Sequence, residues 1–188
     1  MVDAIVRIGA FASLAANSRS CPAAELRPLP PEARFVFRGR GGAVIAAGRA
    51  LGFALPQTVC RAAAADSRAA LWLGPDEWLL IAPEAQEQEI AQAVATALSG
   101  LRHALVAVGH RNTGVELTGV QAATVLAAGC PLDLDLEAFP VGMCTRTVLG
   151  KAEIILWRTA PETFRIEVWR SFAAYVWRFL DTARGEFR

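Results

Sequence analysis

Two stretches of this chain carry the same order of apolar patterns, and an internal repeat restricts the fold more than any bulk property does. Residues 34–39, "RFVFRG", alternate strictly: Phe35 and Phe37 point one way, Arg34, Val36 and Arg38 the other. "GGAVIAAGRALGFALP" follows as a helix that ends near Gly52 and Pro56. About eighty residues later the order returns. "GVELTG" is a short strand with Val115 and Leu117 on one face, and "VQAATVLAAGCPL" is a helix closed by Gly129 with Pro131 beyond it.

The later parts of the two stretches match as well. "AALWLGPDEWLLIAPE" corresponds to "AEIILWRTAPETFRIEVWR", with "GPDEW" opposite "APETF"; both read as strand, turn, strand. A helix follows each hairpin. Ile90, Val94 and Leu98 form one stripe after an acidic first turn, and Phe172, Tyr175, Val176, Phe179 and Leu180 form the other, with Ser171 placed as N-cap. An additional strand, "ALVAV" (104–108), lies at the junction.

The fold class expected is therefore α+β: two pseudo-repeated β-α-β-β-α, ferredoxin-like halves with antiparallel sheets. The expected division is an N-terminal arm over 1–25, a first half over 26–102 and a second over 103–188, packed as one unit. "LRPLPPEA" (26–33) is the only proline-rich stretch and separates the arm from the repeat.

Composition narrows the function classes. Hydrophobic residues are 54% and charged residues 20% of 188, which suits a packed core and not a disordered chain. Lys and Arg total 19 against 18 Asp and Glu, so the basic excess of a nucleic-acid binder is lacking. The charge-free stretch 117–132 is too short and broken to span a bilayer, so no membrane association is expected. "MVDAIVRIGAFASLAA" reads either as a faint secretory leader or as a short docking helix or loose arm. Cys21, Cys60, Cys130 and Cys144 form no CxxC pair, and neither His103 nor His110 stands at zinc-ligand spacing; reduced thiols and no metal are expected.

The chemistry-bearing motifs are few. "RGRGGAVIAAG" places Gly39 and Gly41 as in a dinucleotide fingerprint, but Val44 occupies the third glycine position. Arg38 and Arg40 beside it are either solvated or hold an anion. Asp76 and Glu77 sit in a Pro-containing turn between Trp72 and Trp78, where they read as exposed turn acids and not as a catalytic pair. "VGHRNTGVELTG" gathers His110, Arg111, Asn112 and Glu116, either as pocket lining or as a polar connection, with no nucleophile to complete a triad. Trp169 alternates with the apolar face of its strand and so points outward; beside Arg170 it has the character of a protein–protein anchor. No catalytic residue is assigned.

Taken in order, "LRPLPPEARFVFRG", "ALWLGPDEWLLIAPE", "GHRNTGVELTGVQAATVLAAGCPLDL", "FPVGMCTRTVLGKAEIILW" and "TFRIEVWRSFAAYVWRFL" resemble the gamma subunits of bacterial heterotetrameric sarcosine oxidases. The resemblance runs from about Leu26 to Leu180. It implies a cytoplasmic, non-catalytic subunit with alpha, beta and delta partners, in a complex that oxidatively demethylates sarcosine to glycine and passes the one-carbon unit to tetrahydrofolate. It also implies that FAD, FMN, NAD and tetrahydrofolate are held by the larger subunits, with no cofactor in this chain, and that the fold is similar to the folate-binding domains of aminomethyltransferases. The alternative is a stand-alone binder of folate or another one-carbon carrier. Arg111 for an acidic tail and Glu116 for a pterin edge are then the candidate pocket residues.

Overall fold

In a computed structural model that describes residues 9–188, the repeat is realised as two five-stranded antiparallel sheets. The elements in chain order are α1 (Ala12–Ala16), β1 (Glu25–Pro28), β2 (Glu32–Gly39), α2 (Gly42–Leu51), β3 (Ala62–Ala65), β4 (Arg68–Gly74), β5 (Glu77–Pro83) and α3 (Glu87–Ala97). They continue with β6 (His103–Ala107), β7 (Asn112–Thr118), α4 (Ala122–Ala127), β8 (Cys144–Leu149), β9 (Ala152–Ala160), β10 (Thr163–Trp169) and α5 (Ala173–Ala183). The mixed α+β class and the repeat stand as expected. The leader-or-arm reading rests partly on residues 1–8, which lie outside the described residues.

One sheet has the order β3-β4-β5-β2-β6 and the other β8-β9-β10-β7-β1. Position by position these are the same sheet twice, from β2-α2-β3-β4-β5-α3 and β7-α4-β8-β9-β10-α5. Each repeat has one strand more than β-α-β-β-α. The extra strands are β3, four alanines paired with β4, and β8, in which only Cys144 and Leu149 are buried. Neither carries the apolar alternation that marks a strand locally; pairing with the adjacent hairpin makes them strands.

The edge strands are exchanged. β1 precedes the first repeat yet pairs with β7 of the second, Leu26 opposite Leu117. β6 precedes the second repeat yet pairs with β2 of the first, Val36 opposite Val106.

Three apolar clusters follow from strand alternation. Phe35, Phe37, Trp78, Leu80 and Ala82 face α2 and α3, where Ile90, Val94 and Leu98 are buried as their spacing predicts. Val115, Leu117, Leu156, Phe164 and Ile166 face α4 and α5. Between the sheets lie Leu71, Leu79, Ile81, Cys144 and Ile155. The face of β2 that carries Arg34 and Val36 is therefore turned to the second sheet, while Arg38 at its end stays exposed. β5 is buried on both faces, which accounts for its unbroken "EWLLIA" run.

α2 ends at Gly52 in the left-handed conformation, as its sequence predicts. α5 differs from expectation. A 3-10 turn, Arg170–Phe172, leads into it, Ser171 makes no capping bond, and Trp177 takes the core position that the stripe assigned to Phe172. Phe11 packs on Trp177 with ring centroids 5.5 Å apart. The buried Arg184 donates to the carbonyls of Arg19 and Ala24 and to the Ser18 hydroxyl, fastening the segment before β1 onto the end of α5.

Candidate partner-binding site

The site forms where β10 ends beside the start of β7. Asn112 pairs with Trp169 in the ladder, and the Arg170 N–H donates to the Arg111 carbonyl at 2.7 Å. A turn closes behind them, with the amides of Arg111 and Asn112 donating to the Val108 carbonyl at 3.0 and 2.9 Å. The Arg111 guanidinium lies over the Trp169 ring, 5.0 Å from its centroid, and its Nε donates to Asn112 Oδ1 at 3.3 Å. Trp169 is 42% exposed, and Phe172 in the following turn is 38% exposed. His110 and Arg111 are exposed and Asn112 is buried. The result is an aromatic surface with a pre-placed guanidinium.

The inward end of β10 is held by charge. Arg34 Nε donates to Glu167 Oε2 at 2.6 Å and Arg34 also bonds the Glu32 carboxylate at 2.9 Å. Arg165 bonds Glu167 at 2.6 Å and closes the ring through Glu32. Two arginines and two glutamates thus alternate between β2 and β10. Arg34 is 2% exposed and Glu167 1%. Burial pushes the Glu167 carboxyl up, but Arg165 and Arg34 outweigh it and hold the group below its ordinary range.

Of the residues nominated from sequence, Arg111, Trp169 and Arg170 come together here. Glu116 lies further along β7, half-buried, opposite Arg27 on β1 and Arg165 on β10. The cavity beside Asn112 and Arg170 measures about 90 Å³, against about 300 Å³ or more for ordinary small-molecule pockets. Among the described residues, no cluster of His, Cys, Asp and Glu is arranged to hold a metal, and no helix is long and apolar enough to cross a membrane. Burial pushes the Cys144 thiol up to about 12, so it is no nucleophile near neutral pH.

Glu77 corrects a sequence expectation. It is buried, not exposed at a hairpin tip, because it begins β5 while the tip proper, Pro75, stays exposed. There it bonds Arg38 of β2 and Arg146 of β8. Burial pushes its carboxyl up, and Arg146 and Arg38 bring it below its ordinary value. Asp76 is half-buried and bonds Arg40 at 3.0 Å. Trp72 and Trp78 pair across the hairpin as expected.

Residues 40–186 match the model of the sarcosine oxidase gamma subunit family. The chain is 36% identical over 150 residues to the sarcosine oxidase subunit gamma of Corynebacterium sp. (strain P-1), covering 79% of this chain and 72% of that one. Among solved structures it is similar to a chain of the heterotetrameric sarcosine oxidase from Corynebacterium sp. U-96, with a TM-score of 0.88, 30% identity and 96% of both chains covered. The aminomethyltransferase T of the glycine cleavage system from Bartonella henselae shares the fold, with a TM-score of 0.63 at 16% identity, over 92% of this chain and 48% of that one. The repeated antiparallel sheets and the sequence match agree, and the chain belongs to the sarcosine oxidase gamma subunit family.

Proposed function

We propose that this chain is the non-catalytic gamma subunit of a cytoplasmic, heterotetrameric sarcosine oxidase and supports assembly of the flavin-containing complex. The observation that carries the reading is the likeness over 96% of both chains to a chain of a heterotetrameric sarcosine oxidase. The partners are alpha, beta and delta subunits. The larger of them hold FAD, FMN, NAD and tetrahydrofolate, demethylate sarcosine to glycine and transfer the one-carbon unit to the folate. Trp169 and Arg170 lie at the surface this subunit presents to them. In support, exposed aromatics beside arginine are the residue types that dominate interface energetics.

The test is affinity isolation of the tagged chain from its native host, with an absorbance spectrum of the eluate. Co-elution of two large chains and a small one, with flavin absorbance, supports the reading. A colourless chain eluting alone overturns it. Saturable tetrahydrofolate binding by that isolated chain, lost in Arg111→Ala or Glu116→Gln, then assigns the stand-alone carrier-binding alternative.

A further inference from the structure

The two sheets have four edge strands, and three of them are closed. β3 and β8 are stitched together where they begin: Arg61 bridges to Met143, the Ala62 N–H donates to the Gly142 carbonyl at 2.8 Å, and the Cys144 N–H to the Cys60 carbonyl at 2.9 Å. β1 is four residues long, ends in Pro28, which has no N–H, and has α1 packed beside it. β6 has none of these devices. His103–Ala107 contains no proline or charged side chain, pairs with β2 alone among the described residues, and is exposed at every position except Leu105; Val106 is 55% exposed. An edge of this kind is a template for another strand.

The register identifies the free groups. The Val108 N–H donates to the Arg34 carbonyl at 2.7 Å, and Val106 and Ala104 stand opposite Val36 and Arg38 at the same two-residue period. The backbone groups of Ala104 and Val106 therefore turn toward β2. Those of His103, Leu105 and Ala107 turn outward.

Charge selects the occupant. Where β6 begins, Arg38, Arg40, Arg102 and His103 line one cleft of about 420 Å³. Its one lining acid, Asp76, is engaged by Arg40, and Arg38 reaches out of the cleft to Glu77, which Arg146 shares. Three lining arginines thus meet one lining carboxylate, with Glu77 beyond it already shared by Arg38 and Arg146, and the rim keeps a positive excess.

We infer that β6 receives an extended, acidic segment of a partner subunit as a sixth strand. Its backbone pairs with His103, Leu105 and Ala107, and its carboxylates meet the Arg38–Arg102 rim. The inference rests on the gamma-subunit reading and names a surface of that subunit distinct from Trp169.

Amide hydrogen exchange of the full chain, alone and in the isolated complex, tests it. The Leu105 and Ala107 amides are expected to exchange freely in the chain alone and about tenfold or more slowly in the complex, with Ala104 and Val106 protected in both. Ala107→Pro removes one outward donor and no bond to β2, and is expected to weaken assembly about tenfold or more while Val106 stays protected. If that variant fails to fold, Arg102→Glu carries the test through a loss of assembly at low salt whose size relative to the wild type shrinks as salt is added; a loss that salt leaves unchanged overturns the charge pairing. A complex that forms while Leu105 and Ala107 exchange as in the free chain overturns the inference and leaves the gamma-subunit reading intact. A wild-type chain that assembles with nothing overturns both. Protection that rises with concentration of the chain alone puts a second copy on this edge and overturns the partner-strand inference.

Discussion

Glu167 and Trp169 are two residues apart on one strand and do opposite things. Glu167 has lost its water, and its charge is balanced only by Arg34 and Arg165. Glu167→Gln leaves two arginines sharing Glu32 and is expected to cost about 3 to 5 kcal/mol of stability, read from urea unfolding. Trp169→Ala removes an exposed contact with Arg111 worth about 0.5 to 1 kcal/mol, so the fold is expected to survive it nearly unchanged. The same substitution is expected to weaken assembly by about 2 kcal/mol, roughly thirtyfold, in a titration with the flavin-containing subunits. A large loss of stability in Trp169→Ala would make it a core residue instead. Alternation legibly places Trp169 off the apolar face of Phe164, Ile166 and Val168, but Glu167 shares its face and is 1% exposed; Trp169 stays open because it is the last residue of β10. The burial of Glu77 is not legible, since a Pro-Asp-Glu turn looks the same whether its Glu ends in water or beside an arginine of the second sheet.

At the level of elements, β2, β4, β7, β9, β10 and the stripe of α3 are readable from their own apolar patterns, and β5 from an unbroken apolar run bounded by a turn. β3 and β8 are not, because their strand character comes from the hairpins they join. Their turns are nonetheless sharply specified. Gly150, between β8 and β9, has φ +57°, and a Cβ there would stand 2.2 Å from the Tyr175 hydroxyl, which accepts the Lys151 N–H at 3.1 Å. Gly150→Ala therefore combines backbone strain with displacement of the Tyr175 side chain. It is expected to cost about 2 kcal/mol or more, seen as a lowered urea midpoint and loss of the Tyr175-to-Lys151 contact.

For the whole molecule, the ion ring on Glu32, Arg34, Arg165 and Glu167 and the bridge on Glu77 both join one sheet to the other. Glu167 and Glu77 are held below the ordinary value of 4.5, and Asp181, bonded by Ser18 and Arg184, below 3.8. The folded chain therefore binds fewer protons than the unfolded chain in mild acid. The stability these groups supply is complete above about pH 5 and is lost as pH falls through their depressed folded-state values. Urea midpoints are expected to be flat from pH 7 to about 5.5 and to fall steeply below about 4.5, with both sheets lost in a single transition. Coincident tryptophan fluorescence and far-UV circular dichroism curves check the second point. The sequence repeat makes two similar sheets legible. The exchange of edge strands is not, because Leu26 and Leu117 carry no mark of each other at a separation of ninety-one positions.

That exchange has a consequence for the order in which the protein can be made. On the ribosome, residues 25–28 emerge early, but their ladder partner β7 is synthesised only after the whole first repeat. The first sheet in turn waits for β6 to be complete. A nascent chain stopped at the junction thus has one sheet without its edge and a strand without a sheet. The first sheet can therefore close only once translation has passed the first repeat and delivered β6, and the second only when β10 is made, so the first repeat by itself is not a complete folding unit.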